Sequence, residues 1–433
     1  MSAVAVFFIL AVILLAAGVP VATALGLPSI VFILMEGVPT ATVIQRMFAG
    51  VDVVALMCIP FFILAGDLMA KGGIAKRLVR VANLVVGNIT GGLAYVTIIV
   101  CALFAAMTGS AMACCVTVGA IMIPFMDEAG YDRPFSAAIV AAGSVLGPII
   151  PPSTAMIIYA ANTNTSIADL YLLGVPAGLI LAFALCVLSF FYCKKKGYKG
   201  LSKTAGMDLK EGEKLTGKKI LWTIIGAIPA LGSPVIILGA IFTGITTPTE
   251  ASVVAVIYSF IIGIFVYREL KIKDIPKVLF GSGKSTAKVM YIVAAASLFA
   301  WVISYARVPQ MVLDVLLGIS ENRAVLYFIM MLVLLIMGCL MDATPIMLIT
   351  IPIFMPICDA VGIDRLHFGI CMCVAVCIGF VTPPFGTGLF TAMDVAKVSM
   401  TNLVKKIFPY IILMIAILFL LVYVEPLTMF VLG

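Results

Sequence analysis

Charge is what this sequence has least of. Only 11% of its 433 residues are Asp, Glu, Lys or Arg, where a soluble domain carries about a quarter. Hydrophobic residues make up 64% and the mean hydropathy is +1.25, more apolar side chain than any water-soluble fold can hide. A soluble enzyme, a disulfide scaffold and a disordered chain are excluded. Histidine is nearly missing, with His367 the sole example. No Cys pairs or His–Cys groups have metal-type spacing. Of the 11 cysteines, Cys101, Cys114, Cys115, Cys186, Cys371, Cys373 and Cys377 lie inside apolar runs and read as small buried hydrophobes. The runs are continuous, without the alternation of an outer-membrane barrel, so the spanning elements are helices. The net charge of +7 is a topology signal and not a nucleic-acid one, because the basic residues are expected to cluster in a few loops.

A crossing needs about 20 apolar residues. Ten are expected, at 3–18, 20–36, 51–70, 135–160, 170–193, 220–241, 251–267, 289–306, 367–393 and 407–425. The first has no basic leader and reads as a retained helix, not a signal peptide. Two further stretches, 91–126 and 324–358, are interrupted midway, by Met107-Thr108-Gly109-Ser110-Ala111 and by Met341-Asp342-Ala343-Thr344-Pro345. Halves of about 14–17 residues suit re-entrant helical hairpins.

Basic residues fix the orientation. Lys71, Lys76, Arg77 and Arg80 fall in 71–80, nine lysines in 194–219 and six basic residues in 268–288. With these and Arg133, Lys397, Lys405 and Lys406 in the cytoplasm, only Arg46, Arg307, Arg323 and Arg365 of 27 remain outside. Both termini then face outward. A hairpin and two full crossings return to the same side, so charge leaves that choice open.

The chain divides into a first repeat at 1–193, a cytoplasmic basic linker at 194–219 and a second repeat at 220–433. Aligned without a gap at a shift of 232, residues 124–152 and 356–384 agree at eight of 29 positions. The identities are Pro124/Pro356, Asp127/Asp359, Gly130/Gly362, Asp132/Asp364, Arg133/Arg365, Gly147/Gly379, Pro151/Pro383 and Pro152/Pro384, none of them a common membrane Leu or Val. Each half holds five crossings and one hairpin. Five is odd, so the halves insert with opposite polarity, as in many secondary transporters.

The crossings after each Asp-Arg turn cannot be regular helices, because they contain Gly147-Pro148-Ile149-Ile150-Pro151-Pro152-Ser153 and Gly379-Phe380-Val381-Thr382-Pro383-Pro384-Phe385-Gly386. Unpaired carbonyls at membrane depth are tolerated where they line a cavity or bind something. Carbonyls and hydroxyls suit Na⁺, and half-helix N-termini suit an anion. Intramembrane polar groups point to function. The candidates are Thr108 and Ser110 at the first tip, Asp342 and Thr344 at the second, and Ser153 and Thr382 at the breaks. Asp342 would repel an anion and is read as a helix cap or cation neighbour. Asn162, Asn164 and Asp394 read equally as polar helix ends. Asp127, Asp132, Arg133 and their twins read as pairs at the hairpin exits, His367 as an interfacial polar residue and Glu250 as a helix-start residue.

In these stretches, and in Ile59-Pro60-Phe61-Phe62-Ile63-Leu64-Ala65-Gly66-Asp67-Leu68-Met69 and Thr247-Pro248-Thr249-Glu250, the sequence resembles the large membrane subunit of tripartite ATP-independent periplasmic (TRAP) transporters. These are DctM/SiaM-like proteins of the ion-transporter superfamily. The resemblance covers essentially the whole chain. It implies an all-α polytopic fold of two inverted repeats, with an elevator-type scaffold and a transport domain of hairpins and broken helices. It implies Na⁺-coupled import of a small carboxylate, such as a C4-dicarboxylate or sialic acid, across the bacterial inner membrane. The implied partners are a periplasmic substrate-binding protein and a small four-helix membrane subunit (DctQ/SiaQ-like). The large subunit is expected to be unfused, because the sequence enters its first repeat directly. One Na⁺ site would use Thr108, Gly147, Ile150 and Pro152, the other Gly338, Gly379, Thr382 and Phe385. Ser110 would lie by the substrate, with Ser153, Asp342 and Thr344 as further candidates. The family often has Ser-Gly-Ser where this chain has Thr108-Gly109-Ser110, which keeps the hydroxyl.

The expected function is therefore a membrane permease with no enzymatic activity and no organic cofactor. The alternative within the superfamily is a stand-alone Na⁺/carboxylate symporter. A membrane-embedded protease would need a paired Asp set or a Ser–His pair within the spans. A channel would show steady current instead of coupled uptake.

Overall fold

A computed structural model describes residues 2–198 and 217–432, and every regular element among them is helical. The half expected to form the first repeat runs α1 (Ala3–Ala16), α2 (Val21–Met35), α3 (Ala41–Val51), α4 (Cys58–Lys71), α5 (Ile74–Val86), α6 (Gly92–Thr108), α7 (Ala111–Glu128), α8 (Arg133–Ser144), α9 (Thr154–Thr163) and α10 (Ile167–Lys196). The other half runs α11 (Gly217–Phe242), α12 (Pro248–Ile261), α13 (Ile275–Tyr305), α14 (Val308–Ile319), α15 (Arg323–Gly338), α16 (Ala343–Val361), α17 (Arg365–Gly379), α18 (Thr387–Ala396), α19 (Met400–Tyr423) and α20 (Pro426–Met429). Eight described segments are long and apolar enough to cross a membrane, which makes the chain a multi-pass membrane protein. The basic linker expected at 194–219 lies mostly outside the described residues.

Six expected crossings (51–70, 170–193, 220–241, 251–267, 289–306 and 407–425) coincide with six of these eight segments, the other two of which are the hairpin arms α7 and α16. The stretches 3–18 and 20–36 form shorter apolar helices, 135–160 and 367–393 are each interrupted, and local chemistry sets several helix ends. Glu250 and Thr247 form a reciprocal capping box that starts α12. Ser110 caps α7 through the Ala113 N–H, and Gly109, in the left-handed region at φ 59°, ends α6. The chain thus reverses at Gly109–Ser110, and the two arms pack on each other. Asp342 occupies the N-cap position of α16 but makes no cap hydrogen bond.

Three expectations need correction. The basic residues do not lie in simple loops. Residues 74–86 form an amphipathic helix that buries Ile74, Ala75, Leu78, Val79 and Ala82 at helical spacing, and α13 begins at Ile275, inside the basic segment 268–288. The second hairpin arms, 18 residues in α7 and 19 in α16, exceed the expected length. Finally, His367, expected as an interfacial polar residue in the first turn of its helix, is enclosed by protein. It is fully buried, with Nδ1 3.1 Å from the Tyr327 hydroxyl and Nε2 3.0 Å from the Leu421 carbonyl. The short helices α3 and α14 were not expected, since each is too short for a crossing signal.

Two packing groups organise the chain. In one, α2, α3 and α4 lie along the long α13, with α4 also against α12. The other holds both hairpins and both broken helices. There α6 and α7 pack on α8 and α7 also on α18, while α15 and α16 pack on α17 and α16 also on α9. Each hairpin therefore contacts the first half of its own repeat's broken helix and the second half of the other's.

Candidate functional site

The crossing expected at 135–160 is interrupted between α8 and α9, and residues 147–153 are buried throughout. This break is pressed onto the first hairpin tip. A Cβ on Gly147 would lie 2.8 Å from the Ser110 carbonyl carbon and the Ala111 nitrogen. A Cβ on Gly109 would lie within 2.2 Å of the Pro152 carbonyl oxygen. Among the described residues, no hydrogen-bond donor pairs with the carbonyls of Gly147, Ile150 or Pro152. The Thr108 hydroxyl donates to the Phe104 carbonyl at 3.1 Å and keeps its lone pairs, and Thr108 is 5% exposed. Thr108, Gly147, Ile150 and Pro152 thus share one buried junction of tip and break.

Ser153 is fully buried, and its hydroxyl is used within the loop. It donates to the Pro148 carbonyl and accepts from the Met156 N–H at 3.2 Å, capping α9. Unlike Ser110, which is partly exposed at its tip, Ser153 is fully buried with its hydroxyl proton already engaged. Ser153→Ala should therefore act on stability. Leaving the buried Pro148 carbonyl and Met156 N–H without this partner costs about 1–3 kcal/mol. The expected result is a lower melting temperature for the purified protein with an unchanged KM for uptake, and a raised KM at normal stability would restore Ser153 as a solute contact.

The second break, between α17 and α18, holds the matching Pro383-Pro384 pair, and the bond within each proline pair is cis. Here the closest approach lies one turn before the tip: a Cβ on Gly379 would fall 2.3 Å from the Gly338 Cα. The Gly379 carbonyl accepts from the Thr382 N–H at 2.9 Å and the Thr382 carbonyl from the Gly386 N–H at 3.1 Å. The Thr382 hydroxyl donates to the Ile378 carbonyl at 2.7 Å. No donor among the described residues pairs with the carbonyls of Gly338, which ends α15, or Phe385. At the tip, exposed Asp342 accepts from the Thr387 hydroxyl at 3.1 Å, joining hairpin to broken helix, and Thr344 lies in the first turn of α16. This half is the more open: Phe385 is 58% exposed, whereas every residue of 147–153 is buried.

The structure brings Gly338 against Gly379 in the second half, and the first hairpin tip at Gly109–Ala111 against Gly147 and Pro152 of the first break. It also supplies residues that sequence reasoning missed. Gly174 and Gly178 on α10 form the wall behind the first break, where a Cβ would meet the Ile149 carbonyl at 2.6 Å and the Ile150 side chain at 2.4 Å. Their Gly-x-x-x-Gly spacing in an apolar helix was the available signal. Gly66 on α4 backs the tip, its Cβ position 3.3 Å from the Thr108 Cα. The exit pairs form as expected, Asp127 with Arg133 at 3.2 Å and Asp359 with Arg365 at 2.7 Å, while Asp132 pairs with Lys406 at 2.7 Å. Asn164 ends α9 in the left-handed region, and Asn162 donates to the Ile158 carbonyl.

Comparison with known proteins adds a family. Residues 8–427 match the family described as tripartite ATP-independent periplasmic transporter, DctM component. The isethionate TRAP transporter permease protein DctMQ of Oleidesulfovibrio alaskensis is 38% identical over 97% of this chain, which spans 65% of that protein's length. The C4-dicarboxylate TRAP transporter large permease protein DctM of Vibrio cholerae is 37% identical over 98% of this chain and 96% of its own. The sialic acid TRAP transporter large permease protein SiaM of the same organism is 35% identical, covering 92% and 91%. Among solved structures, the Alcanivorax borkumensis YdaH transporter aligns with a TM-score of 0.66 over 89% of each chain at 13% identity, a likeness of fold alone.

Proposed function

This chain belongs to the tripartite ATP-independent periplasmic transporter family as its DctM component, the large permease subunit, and from that premise we propose that it imports a small organic carboxylate coupled to Na⁺. One observation carries the ion coupling. The carbonyls of Gly147, Ile150 and Pro152 lie buried, without hydrogen-bond donors, against a hairpin tip that adds the Thr108 hydroxyl. An unpaired buried carbonyl costs about 1–3 kcal/mol, which a bound cation offsets. Na⁺ takes this site in the first repeat, and Gly338, Gly379, Thr382 and Phe385 in the second. The free carbonyls of Gly338 and Phe385 and the remaining lone pairs of Gly379 and Thr382 support that assignment.

The substrate binds between the tips, where Ser110, Thr344 and the half-helix N-termini supply donors and the two cations supply positive charge. Asp342, already held by Thr387, positions its tip and does not meet the anion. The names of the relatives span C4-dicarboxylate, sialic acid and isethionate, which supports a small organic anion, with the C4-dicarboxylate and sialic acid class preferred. A periplasmic binding protein delivers it, and a small four-helix membrane subunit braces the scaffold of α1–α4 and α11–α13. The hairpins and broken helices move across the inner membrane as one unit, and both termini face the periplasm.

Uptake into proteoliposomes, with a panel of acids and with or without a Na⁺ gradient, tests the reading. Uptake of one acid that collapses without Na⁺ is expected, and equal uptake in both conditions would remove the coupling. Thr382→Ala should raise the half-saturating Na⁺ concentration about tenfold, the cost of one oxygen ligand, and Thr382→Ser should restore it. An unmoved value in the alanine variant would withdraw the second site.

A further inference from the structure

The arginines after the two hairpins reach across to the opposite repeat. Arg133 opens α8 and pairs with Asp127, while its Nε donates at 2.8 Å to the carbonyl of Ala396, the last residue of α18. Arg365 opens α17 and pairs with Asp359 through two nitrogens, while its Nη1 donates at 3.4 Å to the carbonyl of Thr163, the last residue of α9. The relation is reciprocal, with the arginine that starts one repeat's broken helix holding the C-terminus of the other's.

Both of the helices held in this way need such a partner. Each has ten residues, a length that is marginal for an isolated helix. Each ends on a non-glycine residue in the left-handed region, Asn164 at φ 53° and Lys397 at φ 55°. The last carbonyls of a helix lack intrahelical donors, and a cation there also complements the macrodipole. Half-exposed ion pairs contribute little by themselves, so Asp127 and Asp359 serve to aim the guanidinium groups. Arg can serve both partners at once because its planar fork carries five donors. Neighbouring contacts run the same way: the Tyr159 hydroxyl on α9 donates to the Arg365 carbonyl at 2.6 Å, and Gly119 on α7 sits between Val140 of α8 and Val395 of α18. The opposite ends of α9 and α18 are the two breaks, at Ser153 and Gly386.

We propose that Arg133 and Arg365 are positioning residues, each setting the second half-helix of the opposite repeat and through it that repeat's binding loop. The positional claim stands on these contacts alone, and its consequence for ion affinity rests on the Na⁺ reading above.

Hydrogen exchange by mass spectrometry on the full chain in nanodiscs tests it. Arg365→Gln is expected to speed exchange of the amides of 154–163 about tenfold, with those of 387–396 within about twofold of the parent, and Arg133→Gln should do the reverse. Arg365→Lys and Arg133→Lys keep the charge but lose the fork, and should show the same crossed pattern at a few-fold. They decide the matter if the glutamine variants do not fold. Faster exchange confined to the substituted residue's own repeat, an equal rise in both half-helices, or no rise in either overturns the proposal. In the same variants the half-saturating Na⁺ concentration for uptake should rise about tenfold. A crossed exchange pattern with that value unmoved overturns the link from half-helix to binding loop, whereas the ion assignment itself stands or falls with Thr382→Ala.

Discussion

Gly379→Ala should abolish transport and lower the melting temperature of the purified protein. The added Cβ would lie 2.3 Å from the Gly338 Cα, 2.5 Å from its carbonyl carbon and 2.9 Å from its oxygen. These are backbone atoms, so no side chain can rotate away, and α15 and α17 must part by about an ångström in a densely packed interior. Overpacking of this kind costs about 1–3 kcal/mol. The displaced residues carry two groups of the proposed second ion site, so uptake should fall below about a hundredth of the parent rate, a loss of roughly 2.7 kcal/mol. Gly338→Ala meets the same contact from the other side, at 2.7 Å from the Gly379 Cα. The double variant should therefore be less destabilised than the sum of the single ones, because one separation of the helices relieves both clashes. Additive losses in melting temperature, or parental uptake in either single variant, would show that the two helices do not meet at these glycines.

Gly147→Leu should eliminate Na⁺-dependent uptake while the protein still reaches the membrane. Even a methyl group here lands 2.8–2.9 Å from the backbone of Ser110 and Ala111, and a leucine must also find space among buried neighbours. The hairpin tip has to lift off the break, which separates Thr108 from the carbonyls of Gly147, Ile150 and Pro152. Gly147→Ala should be the milder version, with half-saturating Na⁺ raised at least about tenfold, since the smallest shift that admits a methyl group changes oxygen spacing by several tenths of an ångström. The two variants are read by uptake against Na⁺ concentration, with membrane expression and gel-filtration profile as controls for folding. Parental Na⁺ dependence in both would remove the first site. Normal Na⁺ dependence with a raised substrate KM would move the junction from ion binding to substrate binding.

Several features were legible because they are one-dimensional. Apolar run length gave the helices α10, α11, α12 and α19, and small or polar residues within such runs gave the hairpin reversal at Gly109–Ser110 and the break before α16. Paired prolines remove N–H donors wherever they stand, so both interrupted crossings were visible before any fold was known. Other features carry no local mark. His367 has the sequence surroundings of an interfacial residue, and only α15 and α19 packing around α17 bury it. In the sequence, residues 71–80 stand out by their charges, although the buried face of Ile74, Leu78 and Ala82 makes 74–86 a helix.

The sequence by itself determined that this chain lives in a bilayer as two related halves, each with one interrupted hairpin and one interrupted crossing. Hydropathy, proline and glycine act through the local backbone and the solvent, and they act the same way in any fold. Only the tertiary structure decided which pieces meet: α9 against the second hairpin, α18 against the first, Gly338 against Gly379, and Arg133 and Arg365 on carbonyls 263 and 202 residues away. Such partners are selected by close packing among many apolar surfaces of similar composition, and that choice depends on shape in three dimensions.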